Sequence, residues 1–384
     1  MRNVNQKKQK KQPQRQNFDY VLLTVVLFLL GFGLLMIYSA SSYEASVTYG
    51  TSIYFLKKQG IAMIFGLAGL FVFSKIPYPL WRKVSFMALI ASLGIVCLVK
   101  TGLGMTLNGA SRWIKLGPFS FQPAELVKVT IIIFQANLLS KMGKGIQTFR
   151  GVVLYFVAPT VSCLMIYFIT KNLSSAIIVF GIAVAMLFVA IPTYKWFVGL
   201  GLAGSAAVAG LVYYVITADA SGSYRFNRIK AWINPEAYST DSAFQTLQAL
   251  YAIGSGGIWG KGLGQSMQKR RFLPEAQNDM IFSIICEELG LFGAIAVIAM
   301  FIVLIWCCMV IANNTIDQFG SLLVVGVMAH YAIQVILNIA VVTNTIPNTG
   351  ITLPFISYGG TAVCFLLAEI GIVLNVSQRA KVVT

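Results

Sequence analysis

Asp279 closes the stretch Leu273-Pro274-Glu275-Ala276-Gln277-Asn278-Asp279, which runs directly into a long apolar segment, Met280 to Val310. The chain holds twelve Asp plus Glu against twenty-nine Lys plus Arg, so two carboxylates at one helix entrance stand out. A carboxylate at the rim of a membrane helix loses hydration and so needs a task or a partner. It can take a proton from a reacting hydroxyl, which makes Asp279 the first candidate for general-base chemistry. The competing reading is helix capping, with Asn278 or Asp279 accepting a first-turn N–H.

A second constellation is Gln122-Pro123-Ala124-Glu125-Leu126-Val127-Lys128. Pro123 suits a first helical turn, where its missing N–H costs nothing. Glu125 and Lys128 are three apart and share a face. They are either a helix-end ion pair, with Glu125 favoured by the N-terminal dipole, or a site for a cation or a phosphate. A third cluster surrounds the last outer turn: Asn338, Asn344, Pro347, Asn348, Gly350, Pro354, Ser357, Tyr358, Gly359 and Gly360. Polar, irregular backbone at a membrane rim is tolerated where it is buried in protein or lines a wet cavity.

The elements that position these residues are membrane helices. Apolar runs of about 20 residues are long enough to cross the hydrocarbon core. Ten such runs lie near 20–40, 58–76, 84–100, 123–141, 151–170, 174–191, 194–217, 280–309, 318–342 and 353–376. The expected fold is an all-α polytopic membrane protein with a long extracytoplasmic loop, 218–279, between the seventh and eighth spans. An even count puts both termini on one side. The basic tail at 1–17 and the Lys and Arg of alternate loops make that side cytoplasmic by the positive-inside rule. The net charge of +17 is then a matter of loop orientation and anionic headgroups, not nucleic acid.

The outer loop departs from that rule, with Arg225, Arg228, Lys230, Lys261, Lys269, Arg270 and Arg271. An anionic ligand and simple loop solubility both account for this charge. Within the loop, Phe244 to Ile253 has helical apolar spacing, and Gly254 to Gly264 is a glycine-rich bend. The bend is not a P-loop, because Gly262 follows Gly260-Lys261 where Ser or Thr is needed. All six cysteines lie in apolar segments and none forms a C-x-x-C pair. The single histidine, His330, lies in an apolar run and reads as a packing or hydrogen-bonding residue.

In combination these stretches resemble the SEDS family (shape, elongation, division and sporulation), the RodA/FtsW peptidoglycan polymerases. The resemblance rests on Asn108-Gly109-Ala110-Ser111-Arg112-Trp113-Ile114, Gln122-Pro123-Ala124-Glu125, the stretch ending at Asp279, Glu287-Glu288-Leu289-Gly290 and Leu353-Pro354-Phe355-Ile356-Ser357-Tyr358-Gly359-Gly360. It covers nearly the whole chain and makes 18–384 one transmembrane glycosyltransferase domain.

The resemblance implies polymerisation of lipid II on the outer face of the bacterial cytoplasmic membrane. It implies Asp279 as the essential aspartate, and Glu125, Lys128 and Arg112 as functional residues. Arg225, Arg228 and Arg271 are the further candidates for the leaving diphosphate; Gln122, Glu275, Asn338, Pro354, Ser357 and Tyr358 are expected to line the cleft. Glu125 is also the candidate ligand for a divalent cation, Mg or Mn, with no organic cofactor expected. A class B penicillin-binding protein transpeptidase is the implied partner, within a divisome or elongasome. The Pro-Glu-Ala form and Asn344-Thr345-Ile346-Pro347-Asn348 look more like the division branch. An elongation-type polymerase, a lipid II flippase and a non-catalytic scaffold are the alternatives. Lys171-Asn172-Leu173-Ser174-Ser175 stands where many members carry Pro-Asp-Leu-Gly-Thr, so Asn172 receives no catalytic role.

Overall fold

A computed structural model describes residues 18–107, 110–116, 119–192, 195–217, 224–238 and 243–379. The basic tail at 1–17 lies outside the described residues. Six apolar helices come first in the bundle: α1 (Tyr20–Tyr49), α2 (Tyr54–Lys75), α3 (Pro79–Leu98), α4 (Pro123–Met142), α5 (Phe149–Thr170) and α6 (Leu173–Ala190). Then follow α7 (Lys195–Thr217), two loop helices α8 (Tyr224–Ile233) and α9 (Phe244–Gly256), and the bundle helices α10 (Ile281–Asn314), α11 (Gln318–Val342) and α12 (Ala362–Ser377). Eight of these (α1 to α6, α10 and α11) are long and apolar enough to cross a membrane. With α7 and the shorter α12 they account for the ten expected runs.

The helical polytopic fold is as expected, with one addition and one correction. A small antiparallel sheet of β1 (Gly104–Leu107), β2 (Ala110–Leu116) and β3 (Phe119–Phe121) sits between α3 and α4. Its Thr, Trp, Ile and Phe residues suit a pleated surface, and the segment is too short and too polar to span. The tenth run is not helical from 353: α12 begins only at Ala362. Pro354 brings no N–H, Phe355 has φ 63° and Gly360 has φ 48°, so the stretch before α12 cannot be α-helix.

Side chains and other loops satisfy that irregular stretch instead. Ser357 Oγ accepts the N–H of Leu353 at 2.7 Å. Gln59 Oε1 on α2 accepts the N–H groups of Gly359 at 3.3 Å and Gly360 at 3.1 Å. Tyr358 N–H donates to Gln277 O at 2.9 Å. Gly33 on α1 allows the stretch to enter the bundle, since a Cβ there would lie 2.5 Å from Phe355 O.

The approach to Asp279 is held by a buried ionic network. α10 bends at Gly290 (φ 67°, ψ −163°), and a Cβ at that position would meet the backbone of Ile258 and Gly260 at 2.4 Å. Just before the bend, Glu287 and Glu288 are fully buried. Lys261 donates to Glu287 at 2.7 Å, and Lys269, itself only 6% exposed, donates to Glu288 at 2.7 Å. Ser39 on α1 donates to Glu288 at 2.6 Å, and Met267 N–H to Glu287 at 3.0 Å. The glycine-rich bend is thereby stapled to α10 and α1. Lys261 and Lys269, two cations of the outer loop, serve the fold and not an outside anion.

At about 1.5 Å per residue, Ser39 stands about 28 Å up α1 from Tyr20, and Asn338 about 30 Å up α11 from Gln318. Glu288 bonds to Ser39 and Asp279 to Asn338. Glu288 is thereby tied to α1 and the Asp279 turn to α11, and Gly290 interrupts α10 just after Glu288.

Removing one partner of a buried pair leaves an uncompensated charge. Glu288→Ala is expected to lower stability by about 3–5 kcal/mol, whereas the double change Glu288→Leu with Lys269→Met recovers most of it. Denaturant unfolding of the detergent-solubilised protein measures both. An additive double variant, as unstable as the two single changes combined, is the contrary result.

Candidate active site

Asp279 precedes the first turn of α10. The N-cap position is Met280, and no side chain caps the helix. The capping reading of Asn278 and Asp279 is thus set aside. The Asp279 main-chain oxygen accepts from Asn338 Nδ2 at 2.7 Å, and the same nitrogen donates to Ile351 O at 2.7 Å. One side-chain amide on α11 thereby joins the Asp279 turn to the loop before α12. Gln245 Nε2, from the first turn of α9, approaches Asp279 Oδ1 at 3.5 Å and donates to Pro274 O at 3.1 Å. On the other side lies Gly350 (φ 68°), where a Cβ would stand 3.7 Å from Oδ2.

The carboxyl is 8% exposed. Burial pushes Asp279 up to about 7, the charge of Glu275 adds to that shift, and Arg228 opposes it. Glu275 is itself raised, by burial first and by Glu44 on α1 second. Its backbone is left-handed (φ 56°), and Asn278 donates to its carboxylate. The pair Glu275 and Asp279 is therefore an acidic couple at the bundle end, with Asp279 the more buried member.

The loop between α11 and α12 forms the opposite wall. Arg228 on α8 donates through Nη1 to Asn348 O at 3.0 Å, and Trp232 Nε1 donates to Asn344 O at 3.0 Å. Asn348 Nδ2 donates to Gln245 Oε1 at 2.8 Å. Ser174, at the start of α6, donates to Thr349 O. Arg225 begins α8 beside Tyr224, but its side chain lies outside the described residues.

Glu125 and Lys128 form a 2.7 Å ion pair inside the first turns of α4, with side chains 10% and 1% exposed. Gln122 stands just before that helix. The same end of α4 carries the sheet, and Ser120 O on β3 accepts from Thr361 Oγ1 at 3.0 Å. Arg112 on β2 donates to Lys171 O at 3.2 Å, next to Asn172, which caps α6 by accepting from Ser175 N–H at 3.0 Å. Asp279, Glu275, Asn338, Tyr358 and Arg228 are thus linked directly through one network. Gln122, Arg112, Glu125 and Lys128 adjoin it through the sheet and the loop before α12.

Arg271 (φ 71°) donates to Thr48 at the end of α1, at 3.1 Å. Pro354 and Ser357 are buried inside the irregular stretch before α12. His330 is a hydrogen-bonding histidine, as read from the sequence; its partner is Glu369 on α12 at 2.9 Å. Gln245 was not legible as a site residue, because a polar residue in the first turn of an amphipathic helix carries no signal by itself.

Among the described residues no three His, Cys, Asp or Glu side chains come together as a metal cage. Glu125, the expected ligand, is already engaged by Lys128. The donor set does not fit a divalent ion held by protein groups alone.

Residues 20–382 match the FtsW/RodA/SpoVE family of cell cycle proteins. The chain is 39% identical over 364 residues to stage V sporulation protein E of Bacillus subtilis, covering 94% of this chain and 98% of that one. It is 38% identical over 365 residues to a probable peptidoglycan glycosyltransferase FtsW of Trichlorobacter lovleyi, covering 95% and 94%. Among solved structures, a chain described under the structural coordination of polymerization and crosslinking by a peptidoglycan synthase complex superposes with a TM-score of 0.77 at 22% identity, covering 94% and 97%. The rod shape determining protein RodA of Thermus thermophilus gives 0.66 at 23%, covering 94% and 96%. At these identities the structures bear on the fold alone, and the fold agrees.

The raised Asp279 carboxyl has a consequence for stability. A group whose folded value lies above its unfolded one, near 4, keeps its proton longer in the folded state. Stability from this group is full below about pH 4 and is lost as pH rises to about 7. Between pH 5 and pH 8 the wild-type melting temperature is expected to fall relative to that of Asp279→Asn. Parallel curves for the two proteins would mean a well-hydrated carboxylate.

Proposed function

The chain belongs to the FtsW/RodA/SpoVE family of cell cycle proteins, and from that premise we propose that it is a peptidoglycan glycosyltransferase in which Asp279 acts as general base on lipid II. Relatives 37–38% identical over nearly the whole length bear the name peptidoglycan glycosyltransferase FtsW. Those names fit a role in cell division; the chain is also similar, at 39% identity, to the stage V sporulation protein E of Bacillus subtilis.

The observation that supports the site reading is a buried carboxylate, raised to about 7, at the entrance of α10 and approached by the neutral amide of Gln245, with no cation paired to it in the contacts described. The acceptor sugar's hydroxyl gives its proton to Asp279 as its oxygen attacks the donor's anomeric carbon. A base titrating near the working pH suits that step, commonly worth 10²–10⁴-fold. The bond to the lipid diphosphate breaks, and the departing negative charge is met by cations. Arg228 and Arg225 on α8, Arg112 on β2 and Lys128 on α4 are assigned to it. Glu125 holds Lys128 in place. A divalent cation enters this scheme only as a companion of the diphosphate, held chiefly by phosphate oxygens.

Asp279 lies about 30 Å up α11, close to the full thickness of the hydrocarbon core. That height favours chemistry at one membrane face over transport, which uses a site near the midplane. The opposite helix ends carry Lys75, Lys141 and Arg379, which supports a cytoplasmic location for that side and an outer location for Asp279. A class B penicillin-binding protein transpeptidase is the proposed partner, in keeping with the peptidoglycan synthase complex of similar fold.

Purified protein mixed with lipid II in detergent, where no compartment exists to transport into, tests this reading. Wild type is expected to form glycan strands, and Asp279→Asn to lose activity about a hundredfold or more while remaining folded. Lys128→Ala strands the buried Glu125 and is expected to lower stability as well as turnover, whereas the double change Glu125→Gln with Lys128→Gln is expected to stay folded and still turn over slowly. Undiminished strand synthesis by Asp279→Asn would remove the base assignment.

A further inference from the structure

The carboxylate of Asp279 has two oxygens in different surroundings, and the difference is built by residues that no sequence motif marked. Oδ1 faces Gln245 Nε2 at 3.5 Å. Oδ2 faces Gly350, where nothing larger than hydrogen stands. The Gln245 amide has no freedom to turn over: its Oε1 accepts from Asn348 Nδ2 at 2.8 Å, and its Nε2 also donates to Pro274 O at 3.1 Å. Asn348 is anchored in turn, since its Oδ1 accepts from Gly350 N–H at 3.1 Å and its main-chain oxygen accepts from Arg228 at 3.0 Å. A chain of two amides thus runs from the loop before α12 through α9 to one carboxylate oxygen.

We propose that Gln245, oriented by Asn348, is the positioning residue for Asp279, and that Oδ2, beside Gly350, is the oxygen that accepts the proton. This rests on the reading of Asp279 as general base. In the step, the acceptor's O–H bond breaks and its proton passes to Oδ2. A bond forms from the hydroxyl oxygen to the anomeric carbon, and the bond from that carbon to the lipid diphosphate breaks with its electron pair. The amide holds Oδ1 and so aims Oδ2 toward the incoming hydroxyl. The long 3.5 Å approach suits a contact that tightens when substrate fills the cleft.

The groups facing Asp279 are few enough to make the proposal readable by pH. Glu275 comes from its own loop, with Glu44 of α1 behind it; Arg228 comes from α8. Asn338 of α11 touches only the main chain of Asp279 in the contacts described. A donated N–H favours the ionised carboxylate, so its removal makes Asp279 harder to ionise.

The experiment is the pH profile of lipid II polymerisation by the purified full chain. Wild type is compared with Gln245→Ala, Gln245→Glu and Asn348→Ala. The expected result for Gln245→Ala is a fall in kcat of tenfold or more with KM changed less than threefold. Its acidic limb should move up by half a pH unit or more. Asn348→Ala should shift the limb in the same direction by less, because the Gln245 amide is retained but released. Gln245→Glu should fail to rescue, since it adds a like charge in the place of a donor. A second readout needs no substrate: the pH-dependent melting difference between each variant and the same variant carrying Asp279→Asn should move with the limb. Loss of rate with the limb and the melting difference unmoved would overturn the proposal while leaving Asp279 as base. Retained activity in Asp279→Asn alone would overturn both.

Discussion

A helix bundle that offers a carboxylate at the edge of the hydrocarbon must interrupt its helices there, and each interruption exposes backbone groups that lipid cannot satisfy. That constraint organises this end of the molecule. α10 is interrupted at Gly290, the stretch before α12 never becomes helical, and the outer loop folds back over both. Before α12 the freed groups are met by Gln59, Ser357, Asn338 and the main chain around Gln277, and at the Gly290 break by the backbone of Gly257, Lys261 and Gly262. These side chains therefore do two things at once: they make irregular backbone affordable, and they fix the distance between the Asp279 turn and the wall opposite it.

Two kinds of buried acid follow from the same geometry. Glu287 and Glu288 are compensated by Lys261, Lys269, two serines and backbone N–H groups. Such a network defines one arrangement and leaves no chemistry to spare. Asp279 receives only amide donors, and burial raises it. The contrast separates carboxylates paired with cations from one approached only by amides, the property that the proposed base requires.

Much of this was legible in the sequence where a single element carries the signal. The ten apolar runs, the α9 periodicity and the position of Asp279 at a helix entrance are local patterns. Glu125 and Lys128, three apart on one helix, declared their pairing through spacing alone. What escaped needed contacts between distant segments. Lys269 and Glu288 meet only once the outer loop folds back on α10, so neither an anionic ligand nor loop solubility, the two sequence readings of the loop charge, covered the part of it that is mortar. The sheet was hidden by its shortness and by the apolar runs on either side. Gln245 and Asn348, about a hundred residues apart, become neighbours only once α9 and the α11–α12 loop are both in place.

The choice of neutral amides around Asp279 has a chemical reason. A lysine or arginine paired directly with the carboxylate would hold it ionised far below neutrality, and a base so stabilised accepts a proton poorly. An apolar wall with no donor would leave the carboxyl protonated and useless as a base. Amides lie between these limits: they orient the group and favour its charge modestly, while burial and Glu275 keep it near 7. Arg228 spends a guanidinium N–H on Asn348 O, and its pull on Asp279 ranks below that of burial. Cations placed beside the base and not upon it can meet a diphosphate leaving from the other side of the sugar. Attack and departure lie on opposite faces of the reacting carbon, so a site for this reaction has to keep its proton acceptor and its positive charge apart.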